Sequence, residues 1–320
     1  MRAAPASLDV LGLGAVAVDD LIYVDVYPGP DAKARVLRQE RHCGGLAGTA
    51  LVAAARLGAR CAYAGLMGTD ELSAFALACL EREGIDVSAV ERRQLAGPGH
   101  SHIVVGQQHG TRNIFSYEPR LCGASPRTPA ALIRCCRVLL VDHLGVPGMI
   151  RAARIARRAG IAVVSDVESD RHPETRQLLD LVDHLIVSQE FAARLTGAAS
   201  AQEAVRKLMR PDREVAAVTC GAKGCWFLAR GWSAPRRQPA FRVEVMDTTG
   251  CGDVFHGAYA FGLVKGMPVE ERMRLASATA ALKATRPGGQ AGIPSLSRVR
   301  RFLSLSVSPR ACRAGDRQRC

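Results

Sequence analysis

The chain has 320 residues, of which 48% are hydrophobic, enough for one large α/β domain or two domains of ordinary size. Its formal net charge is +13, but residues 298–320 hold seven arginines against one aspartate, and the remaining positive charge is dispersed among acidic residues. No aromatic platform or nucleic-acid motif accompanies the charge, and no apolar run is long enough for a membrane span or is followed by a cleavage site. We therefore expect a cytoplasmic protein with neither a nucleic-acid partner nor a membrane span.

The 11 cysteines follow no disulfide framework spacing, and several lie in apolar segments (Cys61, Cys79, Cys135 and Cys136), which predicts buried, reduced thiols. His100-Ser-His102 is the only close pair of histidines, and no cysteine cluster accompanies it. The spacing therefore does not favour a zinc site.

The first predicted element is a buried strand over residues 8–18, LDVLGLGAVAV. The pattern Gly12-x-Gly14 inside it is not a dinucleotide fingerprint, because that fingerprint needs a following helix and the next segment is again strand-like. Asp19 comes at the end of this strand, where it either contacts a ligand hydroxyl or is an ordinary turn residue.

Two hairpins are predicted outside the main layer, near residues 20–42 and 98–118. Turn residues lie between their short alternating segments, at Pro28-Gly-Pro-Asp31 and at His109-Gly-Thr111. Two hairpins that interrupt an α/β chain predict a small β-sheet that covers a site.

The rest of the chain alternates between predicted strands and helices. Gly44-Gly45 opens a helix of small residues that closes at Gly58, and an amphipathic helix follows over 71–82. Further along, the predicted strands are 138–141, 161–165, 184–187, 215–219 and 225–228, and the predicted helices are 149–159, 173–181, 191–195, 201–209, 254–264 and 270–284. This alternation predicts a mostly parallel sheet with helices on both faces, and ligands at the carboxyl ends of its strands.

The segment Asp247-Thr-Thr-Gly-Cys-Gly-Asp253 lies where a strand-like run over 241–245 gives way to a helix. Glycines let the backbone approach a ligand, and the N–H groups and dipole of a helix N-terminus favour an anion. A carboxylate at Asp253 could then take a proton from a hydroxyl that attacks a phosphoryl group. The alternative interpretation is a glycine turn with an N-capping aspartate.

Four separated patterns resemble those of the ribokinase-like (PfkB) carbohydrate kinases, in the order and at the spacing of that family. They are GGLAGTALVAAARLGA at 44–59, VTCGAKG at 218–224, DTTGCGD at 247–253 and ATRPGGQAGIP at 284–294. The P-loop sequence GxxxxGK[ST] is absent. The resemblance implies one kinase domain over residues 1–305, with a three-layer α/β/α fold, a mostly parallel central sheet and a β-sheet lid. Residues 306–320 are polar and rich in arginine, and we expect a basic, disordered tail there.

The resemblance also implies roles for individual residues in an ATP-dependent sugar kinase. Asp253 is implied as the catalytic base, with the amides of Gly250, Cys251 and Gly252 as the anion hole. The other implied sugar-site residues are Asp19, Lys33, Gly44, Gly45, Thr49 and Ser116. The implied nucleotide-side residues, besides Gly250 and Gly252, are Ser188, Thr219, Gly221, Gly224 and Ser277.

Cofactors and partners follow from the same resemblance. Mg²⁺ is implied to arrive with ATP, but the Asn-x-x-Glu magnesium motif is replaced by Ser188-Gln-Glu-Phe191, so Glu190 is expected to contact the ion through water. A K⁺ ion is implied at Asp247, Thr249 and Gly288, and a homodimer is implied through the lid.

The substrate is the least constrained part of this interpretation. The C-terminal third is similar to that of family members that phosphorylate sulfofructose, and Lys33 stands where they have a lysine near the sulfonate. Where those members have an arginine and an asparagine, this chain has Leu144 and Ser116. The candidate substrates are therefore a (keto)hexose or a related sugar, with 6-deoxy-6-sulfofructose among them. A nucleoside kinase and a weakly catalytic sugar- or nucleotide-sensing protein are the alternative functions.

Overall fold

The computed structural model describes residues 8–109 and 111–306. The strands of this part of the chain are β1 (Leu8–Gly12), β2 (Ala17–Val24), β3 (Val36–Gly44), β4 (Cys61–Tyr63), β5 (Leu66–Met67), β6 (Glu91–Arg92), β7 (Gly99–Gly106), β8 (Thr111–Tyr117), β9 (Cys136–Val141), β10 (Ala162–Asp166), β11 (His184–Ser188), β12 (Val215–Thr219), β13 (Cys225–Ala229) and β14 (Arg236–Gln238). The helices are α1 (Leu46–Arg56), α2 (Glu71–Arg82), α3 (Ala130–Cys135), α4 (Val146–Arg158), α5 (Thr175–Asp180), α6 (Gln189–Thr196), α7 (Ala201–Leu208), α8 (Cys251–Val264), α9 (Val269–Ala284) and α10 (Leu296–Leu305), with a 3₁₀ turn at Gly221–Lys223.

The large sheet has the strand order β14-β13-β12-β11-β10-β9-β1-β4. The pairs from β12 across to β4 are parallel, and β13 and β14 are added in antiparallel fashion at one edge. The central strands are almost continuously apolar because helices cover both faces, as parallel sheets require.

Two separate apolar clusters lie on the two faces of this sheet. One contains the buried sides of α1, α2, α8 and α9, with Ala50, Val254 and Tyr259 among its residues. The other contains the buried sides of α4, α5, α6 and α7, with Ile150 and Val205 among its residues. The three-layer α/β/α architecture predicted for the chain is therefore confirmed.

The second sheet is the predicted lid. Its strand order is β3-β2-β7-β8, in which β2–β3 and β7–β8 are antiparallel hairpins and β2 pairs with β7 in parallel. Both predicted hairpins are therefore present. The lid is joined to the main domain at both ends of each hairpin, by the connections before β2 and after β3 and by those before β7 and after β8.

Two predicted strands differ from the structure. The apolar run 8–18 is not one strand, because β1 ends at Gly12 and the chain turns before the lid strand β2 begins at Ala17. Residues 241–245 form no strand, since β14 already occupies the edge of the sheet and Phe241 instead packs against Phe302 with ring centroids 5.3 Å apart. An alternating sequence pattern alone does not show that another strand already pairs with this edge of the sheet.

Helices α3 and α10 were not predicted. The first is short, and the second lies in an arginine-rich segment whose charge was considered without its helical pattern. The described cysteines form no disulfide, and of those predicted to be buried Cys61 and Cys136 are, whereas Cys79 is half-buried and Cys135 is exposed. None of the described helices is long and apolar enough to cross a membrane. The predicted tail from residue 307 lies outside the described residues.

Candidate active site

The turn that precedes α8 contains the predicted anion hole. Gly250 caps this helix with φ 75°, and a β-carbon there would lie 2.9 Å from the carbonyl oxygen of Gly289, so glycine is required. The amide of Cys251 donates to the carbonyl of Thr248 over 3.1 Å and is thus engaged in the turn. The amides of Gly250 and Gly252 are the better candidates for meeting an anion, because neither donates to a backbone carbonyl of the described turns and loops and the space beside Gly252 is open.

Asp253 lies in the first turn of α8 and is partly exposed. Burial raises the pKa of its carboxyl group well above the usual range. The carboxylates of Asp166 and Glu168 raise this pKa further, and His256 opposes them. A carboxyl group with a raised pKa beside an open helix N-terminus has the properties of a general base.

Asp166 is a site residue that the sequence analysis missed. It ends β10 and is 2% exposed, and its Oδ2 atom has no hydrogen-bond partner in the described part of the chain. This oxygen lies 3.2 Å from Nδ1 of His256, whose two ring nitrogens also approach the carbonyl oxygens of Gly252 (2.8 Å) and Ile186 (3.2 Å). The available signal was an aspartate directly after a predicted strand, at the edge where ligands bind.

The donor set at this edge fits Mg²⁺. The ion prefers carboxylate and phosphate oxygens and keeps several waters. Asp166 supplies a buried carboxylate oxygen that accepts no hydrogen bond from the described residues and has the ring of His256 3.2 Å away, and Asp253 supplies a second carboxylate from the first turn of α8. Glu190, in contrast, has a side chain that is 85% exposed and pairs with Arg194 over 2.9 Å on the surface of α6, so its expected contact with Mg²⁺ is not supported.

One row of polar side chains crosses the lid. In the strand register His42 pairs with Asp19, Asp19 pairs with Ser101, and Ser101 pairs with Ser116. Paired residues point to the same face, so the predicted Asp19 and Ser116 lie in one row, joined by two residues that the sequence analysis had not singled out. Burial raises the pKa of Asp19, and Ser101 and His42 oppose the shift.

This face of the lid is turned toward the catalytic loops. Arg112 lies on the same face of β8 as Ser116, four residues earlier, and its Nη1 donates to Oγ1 of Thr249 over 2.9 Å. The ring of His42 lies beside Gly288, where an added β-carbon would be 3.6 Å from Nδ1. The polar row and the DTTGCGD turn therefore border one crevice.

The glycine pair before α1 serves the same crevice. Gly45 has φ 85°, and a β-carbon there would lie 2.7 Å from backbone atoms of residues 15–17, so no other residue fits. A β-carbon on Gly44 would lie 3.0 Å from Oδ2 of Asp19, so this glycine makes room for the carboxylate. Thr49, predicted to bind sugar, is 1% exposed and accepts a hydrogen bond from Gln290, so it lies behind the crevice and holds the 284–294 loop.

Lys33 lies in the exposed connection between β2 and β3 rather than in a strand. Leu144 lies after β9, where its carbonyl accepts the amide of Ala124 over 2.9 Å. Among the described cations, Arg112 is the one that reaches the DTTGCGD turn from the lid. Arg112 is a residue that the sequence analysis did not single out.

Most of the predicted nucleotide-side residues lie at the same carboxyl edge. Ser188 and Thr219 are paired across β11 and β12, each as the last residue of its strand. Gly221 has φ 53°, and Gly224 has φ 87° with its β-carbon position 2.1 Å from the carbonyl oxygen of Gln238. Both glycines are therefore required by the turn that follows β12.

Ser277 does not belong to this group. It is buried on α9, where its hydroxyl contacts the thiol of Cys225 in β13. The structure gives it a packing position between a helix and the sheet, so its predicted contact with the nucleotide is not supported.

The carboxylate of Asp247, predicted to contact K⁺, is engaged by backbone N–H groups. Asp247 accepts the amide of Thr249 at Oδ1 (2.9 Å) and the amide of Gly288 at Oδ2 (2.8 Å). Each oxygen of Asp247 therefore already accepts a hydrogen bond from a backbone N–H group. The carboxylate joins the DTTGCGD turn to the 284–294 loop.

Comparison with known proteins agrees with this geometry. The family model described as pfkB family carbohydrate kinase matches residues 10–296. The chain is 28% identical to a ribokinase from Haemophilus influenzae, covering 91% of this chain and 97% of the relative. It is 27% identical to a ketohexokinase from Mus musculus, covering 86% of this chain and 95% of the relative.

Solved structures share the fold. A putative ribokinase from Agrobacterium tumefaciens superposes with a TM-score of 0.86 at 28% identity, covering 94% of this chain and 98% of the other. A ribokinase from Arabidopsis thaliana, complexed with ribose and ATP, superposes with a TM-score of 0.82 at 23% identity, covering 92% and 98% of the two chains.

Proposed function

Because the chain belongs to the pfkB family of carbohydrate kinases, we propose that it transfers the γ-phosphoryl group of ATP to a hydroxyl of a free sugar, with a ketohexose as the first candidate. The membership makes the chain a phosphotransferase with a sugar hydroxyl as acceptor. The observation that carries the proposal is the position of Asp253, in the first turn of α8 behind a glycine turn that the lid borders.

Asp253 acts as the general base. Its raised pKa makes it a better proton acceptor than an ordinary aspartate, so it takes the proton of the sugar hydroxyl as that oxygen bonds to the γ-phosphorus of ATP. The bond between the γ-phosphorus and the β,γ-bridging oxygen breaks, and ADP leaves with the electron pair. Positioning of the two reactants supplies much of the acceleration.

The amides at the N-terminus of α8 stabilise the charge on the transferred group. The open glycine amides and the helix dipole lie where that charge develops. Mg²⁺ arrives with ATP, and its chemistry is to neutralise the phosphate oxygens, with Asp166 as the protein carboxylate available to it. Ser188, Thr219, Gly221 and Gly224 border the nucleotide.

The polar row of the lid binds the sugar. Asp19, Ser101, Ser116 and His42 offer carboxylate, hydroxyl and imidazole groups to sugar hydroxyls. Arg112 gives the crevice mouth a positive charge, which suits an anionic sugar such as 6-deoxy-6-sulfofructose as a further candidate, with Lys33 on the same lid.

A homodimer through the lid accompanies this function. Phe115 and Tyr117 lie on the face of β8 away from the polar row and are 55% and 67% exposed. Aromatic side chains exposed in this way on a sheet are typical of a protein–protein contact.

The test is a coupled assay of ADP release with MgATP across ketohexoses, ribose, deoxyribose, sulfofructose, fructose phosphates and nucleosides. We expect one free sugar to be turned over far faster than any nucleoside. Turnover of a nucleoside alone would contradict the proposed substrate class. Faster turnover of sulfofructose than of fructose, abolished by Arg112→Gln, would identify the anionic substrate.

A further inference from the structure

A lysine ammonium is buried beneath the DTTGCGD turn. Lys283 lies in the last turn of α9, and its side chain is 0% exposed, which makes it one of the largest fully buried side chains of the described chain. Its Nζ atom donates to the backbone carbonyl of Asp247 over 3.0 Å. Burying an ammonium group without compensation is unfavourable, so a buried lysine is expected to have charged or hydrogen-bonding partners.

The partners of Lys283 are the residues of the catalytic turn. Burial lowers the pKa of Lys283, whereas Cys251 and the carboxylates of Asp247 and Asp253 raise it. The carbonyl of Ala284, the next residue, accepts the amides of Met246 and Asp247 over 2.8 and 3.1 Å. The end of α9 is therefore fixed against the chain that leads into the turn.

The ammonium group of Lys283 lies where a bound monovalent cation would act on the catalytic turn. Such an ion would neutralise Asp247 and hold the catalytic turn against the 284–294 loop. Here both oxygens of Asp247 already accept backbone N–H groups, from Thr249 and Gly288, and a cation already contacts the Asp247 carbonyl. A K⁺ ion would have to be coordinated beside an ammonium group, at a cost in charge repulsion.

We propose that the ammonium group of Lys283 is the built-in monovalent cation of the catalytic turn, and that the enzyme consequently works without K⁺. The proposal rests on the kinase activity proposed above. The positive charge lies behind the turn that presents the Gly250 and Gly252 amides, so it strengthens their stabilisation of the transferred phosphoryl group. Because the cation is covalently attached, no ion has to be bound and ordered before each turnover.

The experiment compares wild-type turnover in potassium chloride and in tetramethylammonium chloride at equal ionic strength. We expect equal rates in the two salts. Lys283→Met keeps the apolar stem and removes the charge, and we expect it to lower kcat/KM by roughly 10²-fold in both salts, as for loss of one electrostatic contact in an anion hole. Lys283→Ala leaves space for an ion, so K⁺ should restore part of its activity. Lys265→Gln, at the exposed end of α8, is the control and should match wild type.

Two readouts do not depend on turnover. The thermal midpoint of wild type should be the same in both salts, whereas that of Lys283→Ala should rise with K⁺. A crystal soaked in rubidium chloride should show no anomalous peak beside Asp247 in wild type. A K⁺-dependent wild-type rate or midpoint, or a rubidium peak there, would overturn the proposal. If no sugar is turned over in either salt, the kinase proposal fails, and the midpoint and rubidium measurements still decide the role of Lys283.

Discussion

Asp253 works beside carboxylates that act against its ionisation. Asp166 is buried at the end of the neighbouring strand and Glu168 follows it, and both raise the pKa of Asp253 beyond what burial does alone. His256, whose Nδ1 lies 3.2 Å from Asp166, lowers the pKa of Asp253 and so opposes them. Burial of Asp253 is the main cause of its raised pKa, and the charges of these neighbouring groups adjust the pH at which it loses its proton.

A pH profile follows from the raised pKa of Asp253. The base is active when deprotonated, so a raised pKa means that kcat/KM falls as pH decreases through a range well above the usual aspartate value of about 4. We expect the acidic limb of wild-type kcat/KM, measured with saturating MgATP, to lie clearly on the alkaline side of the usual aspartate range. A rate that stays level down to the usual aspartate range would contradict the raised pKa.

At the residue scale the sequence predicted positions that are fixed by motif and backbone geometry. Gly45, Gly224 and Gly250 are needed where they stand because φ is positive and the space for a β-carbon is taken. Thr49, Glu190 and Ser277 could not be judged in the same way, because whether a side chain faces a crevice depends on what packs against it. Asp166 was missed because it belongs to no glycine motif.

At the scale of secondary-structure elements, the contact between α1 and α8 positions the catalytic turn. A β-carbon on Gly257 would lie 2.0 Å from the carbonyl oxygen of Ala50, so the two helices approach as closely as glycine allows. We expect Gly257→Ala to lower the free energy of unfolding by about 2 kcal/mol or more, because overpacking forces the helices apart. Chemical denaturation measures this, with Gly29→Ala, where an added β-carbon meets no atom within 4 Å, as the control. Equal stability of the two variants would refute the close contact.

Arg112 of β8 links the lid to the turn through a hydrogen bond to Thr249 and an ion pair with Asp247 at 3.9 Å. Removing this link with Arg112→Gln should raise KM for the sugar by roughly tenfold or less, since an exposed hydrogen bond to a charged group contributes about 1 kcal/mol. KM for ATP should change little. Steady-state kinetics with Arg176→Gln on α5 as the control tests this, and an unchanged KM for the sugar would show that the bond does not position the lid.

Element types were predictable because the long strands and helices repeat their patterns strongly. The lid hairpins were also predictable, from alternating segments around turn residues. The register across the lid was not, since the parallel pairing of β2 with β7 joins segments about 80 residues apart and places Ser101 between Asp19 and Ser116. Residues 241–245 were misassigned because a sequence pattern does not show which sheet edge is free.

The lid also bears on the molecule as a whole. Phe115 and Tyr117 expose their rings on its outer face, and we expect wild type to sediment as a homodimer. Phe115→Glu should give a monomer, because it would bury a charge at the contact. Leu95→Glu, which adds a charge at an exposed apolar residue outside the lid, is the control. A wild-type monomer, or a dimer that survives Phe115→Glu, would contradict a lid-mediated dimer.

The whole fold was predictable because strands and helices alternate along the chain, and the glycine turns follow the carboxyl ends of the strands. The alternation does not determine which sugar binds, because recognition of the sugar hydroxyls depends on the polar row of the lid and on the residues at the mouth of the crevice. The chain resembles ribokinase and ketohexokinase almost equally, at 28% and 27% identity, so similarity does not choose between a pentose and a ketohexose either.

The most direct test of the central claim is to measure sugar-dependent ADP release and ATP binding for wild type and for Asp253→Asn. Loss of the base should lower kcat by roughly 10²-fold or more, the range attributed to general-base catalysis, while calorimetry shows ATP binding close to wild type. Turnover near the wild-type rate in Asp253→Asn would contradict the assignment of this carboxylate as the base of a sugar kinase.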